Sequence, residues 1–157
     1  MAKILGLNTV TIAVEDIDAV RPVFEAILGM KAGPKKQFPE DFYEVAIFQL
    51  DQGPMIELLR PTGGQSPVQR LIAKKGPGFF HIGIEVDDLD GAIDELKAKG
   101  ITVSSTRDYK DLIGWSSWRE AFVSPKQTSG ALIALVERRN GKLGLIQCDS
   151  PALVPTE

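Results

Sequence analysis

One cysteine, one histidine and no long apolar run set the first limits on this 157-residue chain. A single thiol, Cys148, forms no internal disulfide, so a reducing, cytoplasmic setting is the expectation. With His81 alone, no site can draw two histidines from one chain. That removes the iron centre built on two histidines and a carboxylate, and the HExxH zinc site. No stretch approaches the roughly 20 apolar residues that a spanning helix needs. Residues 1–7 carry one positive charge and lack the apolar run of a secretory signal. Basic surplus is missing too: 18 Lys and Arg against 21 Asp and Glu leave a net charge of -3. A sequence-independent grip on nucleic acid is therefore not expected. P-loop, dinucleotide fingerprint, nucleophile elbow and CxxC motifs are all absent.

What is present is an ordinary globular composition, 43% hydrophobic and 25% charged, with an internal repeat. Thr9-Val10-Thr11-Ile12-Ala13-Val14-Glu15-Asp16-Ile17-Asp18 alternates and then turns acidic. Seventy-two positions on, His81-Ile82-Gly83-Ile84-Glu85-Val86-Asp87-Asp88-Leu89-Asp90 does the same. Each copy predicts a period-2 strand running into an Asp-capped helix, over 17–28 and 89–99, closed by Gly29 and Gly100. Met55-Ile56-Glu57-Leu58-Leu59 matches Leu132-Ile133-Ala134-Leu135-Val136 at an offset of 77. Further strands are predicted at 43–50 and 118–123, so each module reads strand, helix, strand, strand, strand. Residues 66–75 predict a linking helix, followed by the connector Gly76-Pro77-Gly78. The organisation expected is one domain over 1–137, with modules at about 5–61 and 79–137. Residues 138–157 form a C-terminal extension, with a turn at Asn140-Gly141 and helix-breaking Pro151 and Pro155.

Strand periodicity assigns the faces. Val10, Ile12 and Val14, with Ile82, Ile84 and Val86, are predicted to face the helices. Thr9, Thr11 and Ala13, and His81, Gly83 and Glu85, fall on the other face, as do Glu57 and Ala134. An α+β sheet that hides its apolar face and keeps small or polar groups on the other is expected to curl around a cavity.

At these residues the sequence resembles the vicinal oxygen chelate superfamily, which has the glyoxalase fold, and within it the methylmalonyl-CoA epimerase and glyoxalase I branch. The stretches that carry the resemblance are Ile12 to Asp16, Ile56 to Pro61, Ser66-Pro67 through Lys75-Gly76, Phe80 to Asp88, and Ser124-Pro125-Lys126 to Glu137. The resemblance implies two βαβββ modules in one curled mixed sheet, often completed in a homodimer. It also implies a divalent metal acting as Lewis acid on an enolate. Its four ligand positions fall on Thr9, Glu57, His81 and Ala134, so two of four are retained. The last is also a catalytic base in that family. No cofactor is expected, because threonine is a poor ligand and alanine none. If a metal binds, Glu57 and His81 hold it, completed by a residue such as Glu44, Glu85 or Asp108.

Glu57 and His81 are the candidate acid and base, with Glu40 near the position of the epimerases' second acid/base. Glu40 also reads as a solvated turn acid, and Glu57 with His81 as hydrogen-bonded relics of a metal site. Thr9 and Thr11 are candidate donors to a ligand carbonyl, or ordinary strand threonines. The segment 106–118, with Tyr109, Trp115 and Trp118, suits either a wall over a small apolar ligand or a dimer seam. Lys74-Lys75 and Arg138-Arg139 read as solvated basic pairs that could also meet CoA phosphates. The function expected is an epimerase, isomerase or lyase moving a proton next to a carbonyl on a small acyl thioester or acid. A non-catalytic binder of the resistance-protein type is the alternative, as is a metal-independent enzyme on an aromatic or polyketide-like substrate.

Overall fold

The computed structural model describes residues 1–51, 54–109 and 117–139. It divides into two compact units. The first is built on Val10–Asp51 and Met55–Phe80, the second on Met1–Thr9 and the described residues from His81 onward. Strand β1, Ile4–Ala13, gives its first half to the second unit and its second half to the first.

In the first unit β1 leads into helix α1, Ile17–Leu28. Strands β2 (Lys36–Phe38), β3 (Tyr43–Gln49) and β4 (Met55–Pro61) follow, then helix α2, Pro67–Lys75. The Asp16 carboxylate starts α1 by accepting from the backbone N–H groups of Asp18 and Ala19, at 2.9 and 3.3 Å. Gly29, at φ 65°, ends it in the left-handed conformation that glycine adopts without strain. Ile17, Val20, Phe24 and Leu28 line one helical face and pack on Ile12, Val14, Ala46, Phe48, Ile56 and Leu58. The strand order is β2-β3-β4-β1, and β3 pairs antiparallel with both β2 and β4.

The second unit repeats the plan with β5 (Gly78–Val86, of which His81–Val86 lies in this unit), helix α3 (Leu89–Ala98), β6 (Arg107–Tyr109), β7 (Trp118–Val123) and β8 (Ile133–Arg138). Its order is β1-β5-β8-β7-β6, with β5 and β8 parallel and the β8-β7 and β7-β6 pairs antiparallel. Asp88 caps α3 by accepting from Gly91 N–H at 3.0 Å. Leu89, Ala92, Ile93 and Leu96 pack on Ile84, Val86, Ala121, Val123, Ile133 and Leu135. The apolar stripe is shorter than its periodicity predicts: Ile84 and Val86 join this core, but Ile82 is 36% exposed.

The repeat keeps its positions while reversing charge. In the first unit Glu44 on β3 faces Arg60 on β4, with Nη1 donating to Oε1 at 3.0 Å. In the second, Arg119 on β7 faces Glu137 on β8 and donates to it at 3.2 Å. Glu137 also accepts from the Leu89 N–H at the start of α3, where the helix dipole favours an anion. Arg60 instead donates to the Glu15 carbonyl ahead of α1. Two equivalent strand-to-helix clasps are thus made with opposite sign.

Candidate active site

Glu57 in the first unit sits on the sheet face away from α1. Register fixes this: Leu58 and Ile56 pair with Ala46 and Phe48 in the helix-side core, so Glu57 and Leu59 share the opposite face with Ile47 and Val45. Glu57 is the one carboxylate in that row and is half-buried. Thr11, fully buried, donates its hydroxyl to Glu57 Oε1 at 2.9 Å. An acceptor-only group oriented by a fixed donor has the geometry that a general base requires.

His81 in the second unit shares its face with Gly83 and Glu85 on β5, Ala134 and Val136 on β8, and Phe122 on β7. Its ring meets Phe122 edge-on at 5.5 Å, and Nδ1 is shielded from solvent. Burial pushes the imidazole down to about 4. It is therefore neutral at pH 7, able to accept a proton or offer one N–H, but not to act as a standing cation. Linkage gives the sign. Between the ordinary value of 6.5 and about 4 the unfolded chain binds the proton more readily, so stability falls as pH drops through that window. Urea midpoints at pH 7 and 5 should show that fall, and His81→Phe should flatten it. A slope unchanged by the substitution would assign it elsewhere.

A buried polar chain lies on the same side of this unit. Arg138 Nη2 donates to Glu85 Oε2 at 3.1 Å, with side chains only 1% and 5% exposed. Asn8 Nδ2 donates to the same carboxylate oxygen at 3.2 Å, and Thr9 Oγ1 donates to Asn8 Oδ1 at 2.6 Å. Asn8 is not among the sequence expectations, and Arg138, expected as one of a solvated basic pair, is buried. The signal was available: 134, 136 and 138 share one strand face, and β8 continues to Arg138. Arg139 is the exposed member, paired with Asp108.

Both threonines are engaged within the protein. Each hydroxyl has one proton, and Thr9 and Thr11 give theirs to Asn8 and Glu57. Glu40 lies exposed in a short 3-10 turn, Pro39–Asp41. Glu44 is taken up by Arg60 and by Gln37, whose Nε2 donates to it. Tyr109 and Trp118 are strand residues in register, stacked at 4.6 Å and buried, so they offer each other most of their ring surface. Trp115 and Cys148 lie outside the described residues, as does the chain beyond Arg139.

Two of the four ligand positions carry side chains that make poor metal ligands or none. Thr9 is committed to Asn8, and Ala134 is fully buried and carries no donor. Only a carboxylate at 57 and an imidazole at 81 can ligate, fewer than the three protein ligands of an ordinary catalytic site. Among the described residues, no three His, Cys, Asp or Glu side chains group around a common point.

Repeated βαβββ units, each with a helix on one sheet face and polar groups on the other, define an α+β protein of the glyoxalase fold class. The model of the Glyoxalase/Bleomycin resistance protein/Dioxygenase superfamily matches residues 8–122, and the chain belongs to that superfamily. The bovine mitochondrial methylmalonyl-CoA epimerase is 33% identical over 130 residues, 82% of this chain and 72% of that protein. An ethylmalonyl-CoA/methylmalonyl-CoA epimerase of Cereibacter sphaeroides is 34% identical over 130 residues, covering 82% and 95% of the two chains. Among solved structures, methylmalonyl-CoA epimerase from Mycobacterium tuberculosis superposes with a TM-score of 0.75 at 27% identity, over 85% of this chain and 88% of that one. A variant Streptomyces coelicolor methylmalonyl-CoA epimerase in complex with 2-nitronate-propionyl-CoA gives 0.77 at 25% identity, over 87% and 99%.

Proposed function

We propose that this chain is an epimerase of 2-alkylmalonyl-type acyl thioesters, with Glu57 as the base that removes the α-proton. The observation that carries the reading is the Glu57 carboxylate, half-buried on the sheet face away from α1 beside Ile47 and aimed by the Thr11 hydroxyl. The similarity to epimerases of methylmalonyl-CoA and ethylmalonyl-CoA supplies the substrate class. In such a thioester the α-carbon lies between two carbonyl groups. Removing its proton leaves a planar enolate, and return of a proton to the other face inverts the centre. His81, buried and neutral against Phe122, is the one titratable hydrogen-bonding group at the second unit's ligand positions. A cytoplasmic homodimer binding a small molecule, with no nucleic-acid or membrane partner, completes the proposal. No helix among the described residues is long and apolar enough to cross a membrane.

Ala134 favours a second reading. Where the resemblance implies a second catalytic base, this chain has a fully buried methyl group. A non-catalytic binder would need no base there, and a lyase or one-base isomerase only one. Incubating methylmalonyl-CoA and ethylmalonyl-CoA with the protein in deuterated water separates these. Exchange of the α-proton with interconversion of the 2R and 2S epimers supports the epimerase. Exchange with retained configuration supports one-base chemistry. Tight binding without exchange turns the assignment to the binder.

A further inference from the structure

We infer that this protein performs its chemistry without a divalent metal, because, of the three ligand positions in its second unit, one is tied into a protein hydrogen-bond network at Thr9, one is Ala134, and only His81 offers a donor. The inference takes the site from the epimerase reading, but what the site binds can be measured apart from what it catalyses.

The hydrogen-bond directions in the network are forced. A carboxylate paired with a guanidinium only accepts, so Asn8 must turn its amide nitrogen to Glu85. Asn8 Oδ1 is then left to accept, and the Thr9 hydroxyl supplies the proton. Arg138 is the one cation among the buried charged side chains of the described residues. Neither it nor Glu85 can swing away without stranding a buried charge. Thr9 is thereby locked into a neutral hydrogen bond at the position where a ligand would stand.

Its neighbours offer no substitute. Gly83 pairs with Ala134, and a Cβ at Gly83 would lie 3.3 Å from Thr9 Cβ and 3.4 Å from Val136 Cγ2. That strip is closed by contact between small groups and leaves little room for a ligating side chain at position 83. On the other side of Ala134, β7 contributes Phe122, whose ring covers His81. Within this unit the imidazole is the only metal-binding group at these positions, set among a phenyl ring, a glycine, a methyl group and a committed hydroxyl. One imidazole does not hold zinc, cobalt or nickel in competition with water.

The test is metal content and metal titration on the full chain, purified without chelator or added metal. The expected result is about a tenth of an ion per chain or less, and no saturable visible absorption on adding cobalt(II). Dialysis against EDTA should leave any α-proton exchange within about twofold of its starting rate. Near-stoichiometric zinc, cobalt, nickel or iron, or a cobalt spectrum that disappears in His81→Ala, would overturn the inference. So would exchange that EDTA abolishes and a divalent ion restores. If no acyl thioester exchanges under any condition, the epimerase reading falls, while metal stoichiometry and the cobalt titration still decide this question.

Discussion

Arg138→Met is expected to lower the free energy of unfolding by about 3–5 kcal/mol, since it strands the Glu85 carboxylate in the interior. Arg139→Met, one residue on, should change it by less than about 1 kcal/mol. The two arginines differ in burial, not in chemistry. Arg138 is 1% exposed against a 5% exposed partner, whereas Arg139 and Asp108 are 42% and 43% exposed. In water the second pair gains little that solvation did not already provide. In the interior, loss of one partner leaves an ion with neither counter-charge nor solvent. For a chain of this size the Arg138 variant should melt on the order of 10 °C lower. Removing both charges, as Glu85→Leu with Arg138→Met, should recover most of the loss, since apolar pairs often replace buried ion pairs without penalty. The recovery should fall short by about 1–3 kcal/mol, because the Asn8 amide loses its acceptor. If Arg138→Met and Arg139→Met melt together, the buried network is not a structural element of the second unit.

The elements legible in the sequence are those specified by neighbours along the chain. Asp16 and Gly29 bracket α1 because an N-cap carboxylate and a left-handed glycine act within one helical turn. Period-2 apolar residues likewise locate β1, β5 and β8. The three-residue strands β2 and β6, counted in the strand-helix-strand-strand-strand plan, have no legible range in the sequence for the opposite reason. Lys36-Gln37-Phe38 and Arg107-Asp108-Tyr109 have no alternation, and become strands only by pairing with β3 and β7. At the site, Glu57 and His81 could be named from motif position, but their partners could not. The Arg138–Glu85 pair joins residues 53 positions apart, and Asn8 lies 77 from Glu85. No local pattern encodes such a contact. Nor does it encode which way a hydroxyl points, so Thr9 and Thr11 read equally as ligand donors or ordinary strand threonines, and the fold shows each giving its proton to the protein. Side-chain identity is local information, whereas hydrogen-bond direction belongs to the folded network.

Glu57→Gln is expected to cut α-proton exchange by about 10²- to 10⁴-fold, the usual range for removing a positioned general base. Glutamine keeps the size of glutamate and an oxygen that can accept from Thr11, so the 2.9 Å hydrogen bond has a counterpart and stability should change little. What is lost is basicity alone, and the loss should appear in kcat with KM nearly unchanged. Thr11→Val removes the aim but leaves the carboxylate, and should cost less than Glu57→Gln. Glu40→Gln serves as the comparison, because that residue is exposed on a turn of the same unit. If Glu57 is the base and Glu40 a surface acid, Glu40→Gln should exchange within about twofold of the parent. Equal losses in both variants would instead make them a pair of bases, and restore the two-base inversion that Ala134 puts in question. Exchange that survives Glu57→Gln intact would remove the central residue of the proposed mechanism, whatever the fold's relatives do. The outcome turns on one oxygen atom replaced by an amide nitrogen, with the fold and the Thr11 contact held constant.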